Sequence, residues 1–530
     1  MRTITALSDR YAAGCANSFL VVTRIVVRAA RSAAKETGDQ PRGSARISRG
    51  RARWLVGLAL VVVVSGCSRR SGAAAAADAM GATNLNSVQF SGIGTNYAFG
   101  QAYAPGGPWP RFEVKTYTVA IDYQTPAMKL DMLRAQGEHP PRGGGAQPFA
   151  TDQRTIQVVS GKNAWTEGGA QPAPNPGAVT ERLRQIWLTP HGVVKAVLAS
   201  GAPADGNVFT FKSEDRDVTV TLNQQNLVEK VEYLTTNSVV GDVPVELTYS
   251  DYAQFGTIQF PKHIVEKQDG FPTLDITIND VQPNAAVTLP VPANVASAPA
   301  PPAAPMATID KVGDGLWSLN SAGTRSLAIE FGDHIVMLEG PTSDARSKAV
   351  NDLVRKTVPN KPIRYVVNTH AHYDHAGGLR EYVAEGITVI THESNKAFLE
   401  AAWARPRTLE DTAPTSNTPT IETVGDKRVL SDKTQTVELY HMPGHGHHTG
   451  QLIAYLPRER ILMYGDGYNP PASDEIRTPE RGPEYAAQMV QRVQELKLNP
   501  ERIAPVHGRV VPYRNLLLAF NLDGGARGTR

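Results

Sequence analysis

Four side chains of the kind that bind metal ions fall within six residues: His370, His372, Asp374 and His375, in Thr369-His-Ala-His-Tyr-Asp-His-Ala-Gly-Gly378. They follow the apolar run Ile363–Val367, which reads as a strand, so the cluster begins where a sheet ends. Residues two apart on an extended segment point to the same side, so His370 and His372 can grip one ion. A turn after them lets Asp374 and His375 face a second ion beside it. Gly377 and Gly378 leave the backbone free to turn into a helix. Imidazole and carboxylate without thiolate suit zinc, and manganese or iron can use the same set. Nine of the 13 histidines lie between 370 and 507, so the ligand supply is concentrated in one stretch.

A second constraint is the run Leu289-Pro-Val-Pro-Ala-Asn-Val-Ala-Ser-Ala-Pro-Ala-Pro-Pro-Ala-Ala-Pro-Met306. Proline fixes φ and favours extended polyproline II, so residues 289–306 read as a semi-rigid linker between domains. Upstream, period-two alternation recurs in Glu113–Tyr123, Thr155–Val159, Val208–Lys212, Val218–Leu222, Val228–Tyr233, Val243–Tyr249 and Asp275–Val281. One helical stretch, Ala178–Leu188, interrupts it. The pattern predicts a mainly antiparallel, curved β domain over residues 108–288. Downstream, over residues 307–515, two runs of strands alternate with helical patterns at Asp344–Lys356, Leu379–Ala384, Asn395–Ala404 and Pro483–Leu496. That order predicts an α/β fold, an αββα sandwich. Residues 516–530 read as a tail, and residues 68–107, rich in Ala, Gly and Ser, as a flexible tether.

The net charge of +3 hides two unlike regions. Residues 1–70 hold 13 Lys/Arg and 3 Asp/Glu, leaving 41 basic and 48 acidic residues for the rest. The folded part is therefore mildly acidic, and no clustered basic face points to nucleic acid. Within the basic region, Arg49, Arg51 and Arg53 precede the apolar run Trp54–Val64 and then Ser65-Gly66-Cys67. A positive region, a short apolar run and a small-residue site make an export signal. Val64-Ser-Gly-Cys67 resembles a bacterial lipoprotein box, which implies lipidation of Cys67. Residues 1–67 are thus expected as a leader. The mature protein is expected to sit on a membrane surface, at the periplasmic face or the cell surface, with an uncleaved anchor as the alternative. The positive region is too long for an ordinary signal, so residues 1–45 are read as the product of a start codon assigned too early. Only Cys15 and Cys67 are present, so the mature chain has no cysteine free to act as ligand or nucleophile.

His370-X-His372-X-Asp374-His375 resembles the signature of the metallo-β-lactamase superfamily, and further elements of that family follow in order over about 140 residues. The resemblance implies the αββα fold with two metals, most often zinc, at one edge of the sandwich. A histidine is expected in a loop before a strand, followed by an aspartate about 19 residues later. In Pro443-Gly-His-Gly-His-His-Thr-Gly450, His447 fits that spacing to Asp466, with His448 and then His445 as alternatives. The resemblance makes Asp466 the bridging ligand and adds His507. One site is then His370, His372 and His447; the other is Asp374, His375 and His507. His392 falls where relatives often carry a histidine and is expected near the metals without binding them. Tyr468 and Asn469 are expected to line the substrate pocket, and the segments 405–425 and 470–483 to form its rims. His139, His191, His263, His334 and His441 are read as structural.

The bridging aspartate is similar to that of the glyoxalase-II-like branch. It implies a hydrolase of thioester, lactone, β-lactam or other ester-like bonds, acting on a small molecule through a metal-bridging hydroxide, with Asp374 orienting the nucleophile and shuttling its proton. A phosphodiesterase is the nearest alternative, and a di-iron redox protein a more distant one. The stretch Tyr249–Pro261, with Asn279–Asn284, resembles the last strands of periplasmic lipoprotein-carrier-like half-barrels. That likeness implies an apolar concave face, and with it a further alternative: a tethered lipid or lipoprotein binder whose metal domain is auxiliary.

Overall fold

The computed structural model describes residues 72–302, 304–410 and 417–523. The expected leader, Cys15 and Cys67, where lipidation is expected, lie outside them. Among the described residues no helix is long and apolar enough to cross a membrane.

The first domain is a 13-stranded antiparallel sheet. Its strands run in sequence order from each edge toward a central pair, Ser87–Tyr97 and Phe271–Pro283, the first and last strands of the sheet. Over the described residues 72–107 the reading of a tether is therefore corrected. A helix spans Ala73–Met80, with Ala76, Ala77 and Met80 buried, and Ser87–Tyr97 pairs with strands on both sides. Gly92 and Gly94, which read as linker residues, sit at register shifts in that strand. A Cβ on Gly94 would lie 2.0 Å from the Asp275 carbonyl oxygen, so glycine permits the close approach. Helices Val179–Leu188 and Pro190–Ser200 pack into the apolar core of this sheet through Ile186, Leu188, Val193 and Val197. The second was not anticipated, although Pro190 at its first turn and Gly201 in the left-handed conformation at its end are ordinary start and stop signals.

The second domain is the expected sandwich. A seven-stranded sheet spans residues 307–424 and a six-stranded sheet residues 427–512. Their inner faces meet in one apolar layer, with Leu327, Ile329, Val336, Leu338, Val367 and Ile390 on one side. Val437, Leu439, Leu452, Leu456, Ile461 and Met463 oppose them. Each such side chain, fully buried, contributes about 1.5–3 kcal/mol. Helices Asp344–Thr357, Leu379–Ala384 and Glu393–Trp403 cover the first sheet. Glu484–Glu495 and Tyr513–Ala519 cover the second. Residues 516–523 are not the expected tail, because Leu516, Ala519 and Phe520 are buried in that outer core. The linker is also partly docked: Val295, in the short helix Ala293–Ala296, packs on Ile156, Val158 and Trp165.

The two domains are joined by more than the linker. Val239, Val240 and Val243 of the β domain belong to the same apolar cluster as Leu319, Val366 and Leu379. Arg405 grips Asp269 with two 2.7 Å bonds, and Arg407 donates to the carbonyls of Ser238 and Val239. Residues 405–410 are thus a seam between domains rather than the expected pocket rim.

Candidate metal centre

The strand Ile363–Val367 runs parallel to Ile335–Leu338 and Thr388–His392. At its carboxyl end Asn368 shapes the loop, donating from Nδ2 to the His370 carbonyl at 2.7 Å. His372 is the N-cap of a short helix, Tyr373–Ala376, whose first turn presents Asp374 and His375. Asp466 follows the strand Ile461–Tyr464, and His507 follows the parallel strand Arg502–Pro505. His447 comes from the loop before Leu452–Leu456. A Cβ on Gly465 would lie 2.8 Å from Thr369 Oγ1 and 3.3 Å from both His370 and His375, so glycine lets the two loops close on each other.

Two groups of ligand atoms result: His370, His372, His447 and Asp466, and Asp374, His375, Asp466 and His507. Within each group the atoms lie within 4.8 Å of one another. His370 Nε2 is 3.0 Å from His372 Nδ1 and 3.2 Å from His447 Nε2. Asp466 Oδ2 is 2.9 Å from His447 Nε2 and 3.1 Å from His375 Nε2, while its Oδ1 is 3.4 Å from His507 Nε2. Asp374 Oδ2 is 3.1 Å from His507 Nε2. Asp466 thus stands between the groups, its Oδ2 facing His447 of one and His375 of the other and its Oδ1 facing His507.

The protonation states fit cations. His372 Nε2 donates to the Ala102 carbonyl at 2.9 Å, and His375 Nδ1 donates to Glu339 Oε2 at 2.9 Å. With those protons committed, His372 Nδ1 and His375 Nε2 turn lone pairs into the centre. Burial and neighbouring imidazoles push His370 and His372 below the ordinary histidine value, His372 to about 3, so both stay neutral. Burial opposes a charged His375, but Asp466, Asp374 and Glu339 outweigh it and raise its pKa well above 6.5. Three carboxylates around one imidazole call for positive charge, and a metal ion supplies it. The residues therefore fit two divalent ions of the kind bound by nitrogen and oxygen.

The other expected residues fall elsewhere. His445 accepts the His447 N–H at Nδ1, and its Nε2 meets Tyr464 and the Tyr485 carbonyl, so it braces the loop. His448 is buried with Nδ1 accepting from Gly450, and it stands outside both groups. His392 caps the helix Glu393–Trp403 and stacks on His441, ring centres 3.9 Å apart. Tyr468 is buried against Phe520 in the outer core rather than lining the cleft at the centre. Asn469 does line the cleft at the centre, about 280 Å³ in volume.

Four contributors went unforeseen. Glu339 is fully buried at a φ of +72° and holds both His375 and the Thr369 N–H. Its signal was a lone carboxylate directly after the apolar strand Ile335–Leu338. Gln101 donates from Nε2 to Asp374 Oδ1 at 2.7 Å while its Oε1 accepts from Gly145. The Ala102 carbonyl orients His372. Arg481 lines the cleft. Gln101 and Ala102 belong to the β domain, and the sequence around them has no period that could have marked them.

The metallo-beta-lactamase superfamily profile matches residues 328–507. Among curated proteins, the chain is 25% identical over 162 residues to the alpha subunit of a 2,4-dinitroanisole O-demethylase from Nocardioides sp. (strain JS1661). That match covers 31% of this chain and 46% of the relative, so the chain spans about half the relative's length. A hydroxyacylglutathione hydrolase from Pelagibacter ubique (strain HTCC1062) is 28% identical over 109 residues, 20% of this chain and 37% of that protein. Among solved structures, a metallo-beta-lactamase from Pontibacter korlensis aligns with a TM-score of 0.32 at 19% identity, over 41% of this chain and 98% of that one. The superfamily typically binds divalent metals, and the paired His/Asp groups could hold them. The profile match, the αββα layers and the ligand-bearing strand ends agree: residues 328–507 form a domain of the metallo-β-lactamase superfamily.

Proposed function

We propose that the protein is an exported, membrane-tethered, dinuclear hydrolase that cleaves an ester-like bond of a small molecule, with two zinc ions as its metals. The observation that carries this reading is the pair of ligand groups sharing Asp466. Two divalent ions held there supply Lewis-acid polarisation of a substrate oxygen and activation of water near neutral pH. The side chains do the positioning. Asp374 is tied at Oδ1 by Gln101, and its side chain is 35% exposed, whereas that of Asp466 is 5% exposed. Asp374 Oδ2 is therefore the oxygen that orients the attacking water and passes its proton to solvent. Asp466 and the buried histidines keep the ligand set fixed. The relative named hydroxyacylglutathione hydrolase supports hydrolysis, and Val64-Ser-Gly-Cys67 supports export and tethering.

The test is zinc content together with turnover of thioesters, lactones, β-lactams and phosphodiesters by wild type and Asp466→Ala. About two zinc ions per chain are expected. Turnover in the variant should fall on the order of a hundredfold or more. Two bound metals with no turnover of any of these bonds would sink the hydrolase reading. A second reading rests on the β domain, which holds a pocket of about 330 Å³ lined by apolar side chains, among them Phe90, Met128 and Leu130, and by the carboxylates of Glu181 and Glu266. There the protein binds a lipid or lipoprotein and the metal domain is auxiliary. Lipid co-purifying with the chain would favour it.

A further inference from the structure

We propose that Arg481 is an anchor for an anionic group on the substrate, so that the ester-like bond presented to the centre belongs to a molecule carrying a carboxylate or similar anion. The inference rests on the hydrolase reading and narrows its substrate class. Arg481 shares the cleft with Asp374, His447, Asp466 and His507. Its Nη1 is buried with no hydrogen-bond partner. An unpaired buried donor on a charged group is costly, and an incoming acceptor recovers that cost. The backbone at this position is pinned from both sides. Ala150 N donates to the Glu480 carbonyl, Gly482 N donates to the Pro148 carbonyl, and Phe149 bridges Arg481 itself. A guanidinium on so fixed a base is a planar, preorganised fork for a carboxylate, sulfate or phosphate.

Charge at the cleft points the same way. Asp374 and Asp466 already face histidines of the centre, so neither is free to neutralise Arg481. Arg481 adds a positive charge at the rim of the two ligand groups. Gln101 and Asn469 also line the cleft, and they bring polar groups without negative charge. A neutral carbonyl can accept one bond from Nη1, whereas an anionic group also pairs with the charge of the guanidinium.

The experiment compares the full chain and Arg481→Gln on two near-isosteric esters, 4-acetoxybenzoate and 4-acetoxybenzamide. Wild type is expected to favour the anion in kcat/KM by about tenfold or more, chiefly through KM. In Arg481→Gln that ratio should collapse toward unity, while Arg481→Lys, which keeps the charge but not the fork, should retain part of it. No preference in wild type, or an equal loss on both esters in Arg481→Gln, overturns the proposal. A calorimetric titration with 4-hydroxybenzoate and 4-hydroxybenzamide separates this from the hydrolase reading. If neither ester is cleaved yet the benzoate binds wild type at least about tenfold tighter than Arg481→Gln, the anchor stands and the hydrolase reading falls. Equal binding of the benzoate to both proteins rejects the anchor, whatever the esters do.

Discussion

Glu339 shows how much one side chain carries at this centre. It holds a non-glycine φ of +72°, a conformation that costs roughly 1–3 kcal/mol and persists because its carboxylate is bonded to both His375 Nδ1 and the Thr369 N–H. Glu339→Gln keeps the shape but removes the charge that makes His375 a stronger donor. Zinc affinity of the His375 group is expected to drop about 10–100-fold, read by competition with a chromophoric chelator, and an unchanged affinity would show that Glu339 only supports the loop. His191 works by the opposite logic. It is buried beneath Phe260, donates from Nε2 to the Met80 carbonyl, and burial pushes its pKa down to about 4. The unfolded chain takes up that proton below pH 6.5 and the folded chain does not. Its stabilising share is therefore complete above pH 6.5 and is lost as pH falls toward 4, about 3 kcal/mol in all. His191→Gln, which can still donate to Met80, should flatten the fall in melting temperature between pH 7 and 4.5. An unaltered slope would mean that other groups dominate acid unfolding.

At the scale of elements, what the sequence disclosed and what it hid divide by sequence separation. The ligand cluster was legible because His370, His372, Asp374 and His375 sit together at one strand end, and the helix Leu379–Ala384 because its apolar period is local. His447 needed the spacing to Asp466, and the loop geometry agrees by turning His445 and His448 away from both ligand groups. The strand Ser87–Tyr97 escaped because its pairing lies with Phe271–Pro283, nearly 200 residues distant, and its glycines resemble linker. Gln101 escaped for the same reason, since it meets Asp374 across 273 positions. That loop is nonetheless part of the centre: the Gly100 carbonyl accepts the Tyr373 N–H, and the Tyr103 carbonyl accepts the Thr449 N–H. Gln101→Ala removes the bond from Nε2 to Asp374 Oδ1 and is expected to lower kcat by about 10–100-fold. The melting temperature should change little. A loss confined to stability, with kcat intact in the folded fraction, would reduce Gln101 to a packing role.

For the molecule as a whole, the linker at 289–306 advertises two independent domains, and the contacts argue for one cooperative unit. Val239 and Val240 in a turn of the β domain, and Val243 at the start of the strand Gly241–Phe255, join the core of the sandwich. Asp242 accepts from the Thr408 N–H and hydroxyl at 2.8 and 2.7 Å, and the Arg405–Asp269 pair lies beside it. Near the centre, Gly143 N donates to the Gly446 carbonyl and the Tyr485 hydroxyl donates to the Gly143 carbonyl. Metal binding is coupled to this seam, because the groups that orient His372 and Asp374 come from the β domain. A ligand at a thousand times its dissociation constant stabilises the folded state by about 4 kcal/mol. In a coupled molecule that energy is felt by both domains. Calorimetry of the metal-loaded chain should therefore give one transition, and chelation should move all of it down by several degrees. Two transitions, of which only one responds to chelation, would mean that the seam is too weak to couple the domains and that the β domain can leave the centre without unfolding.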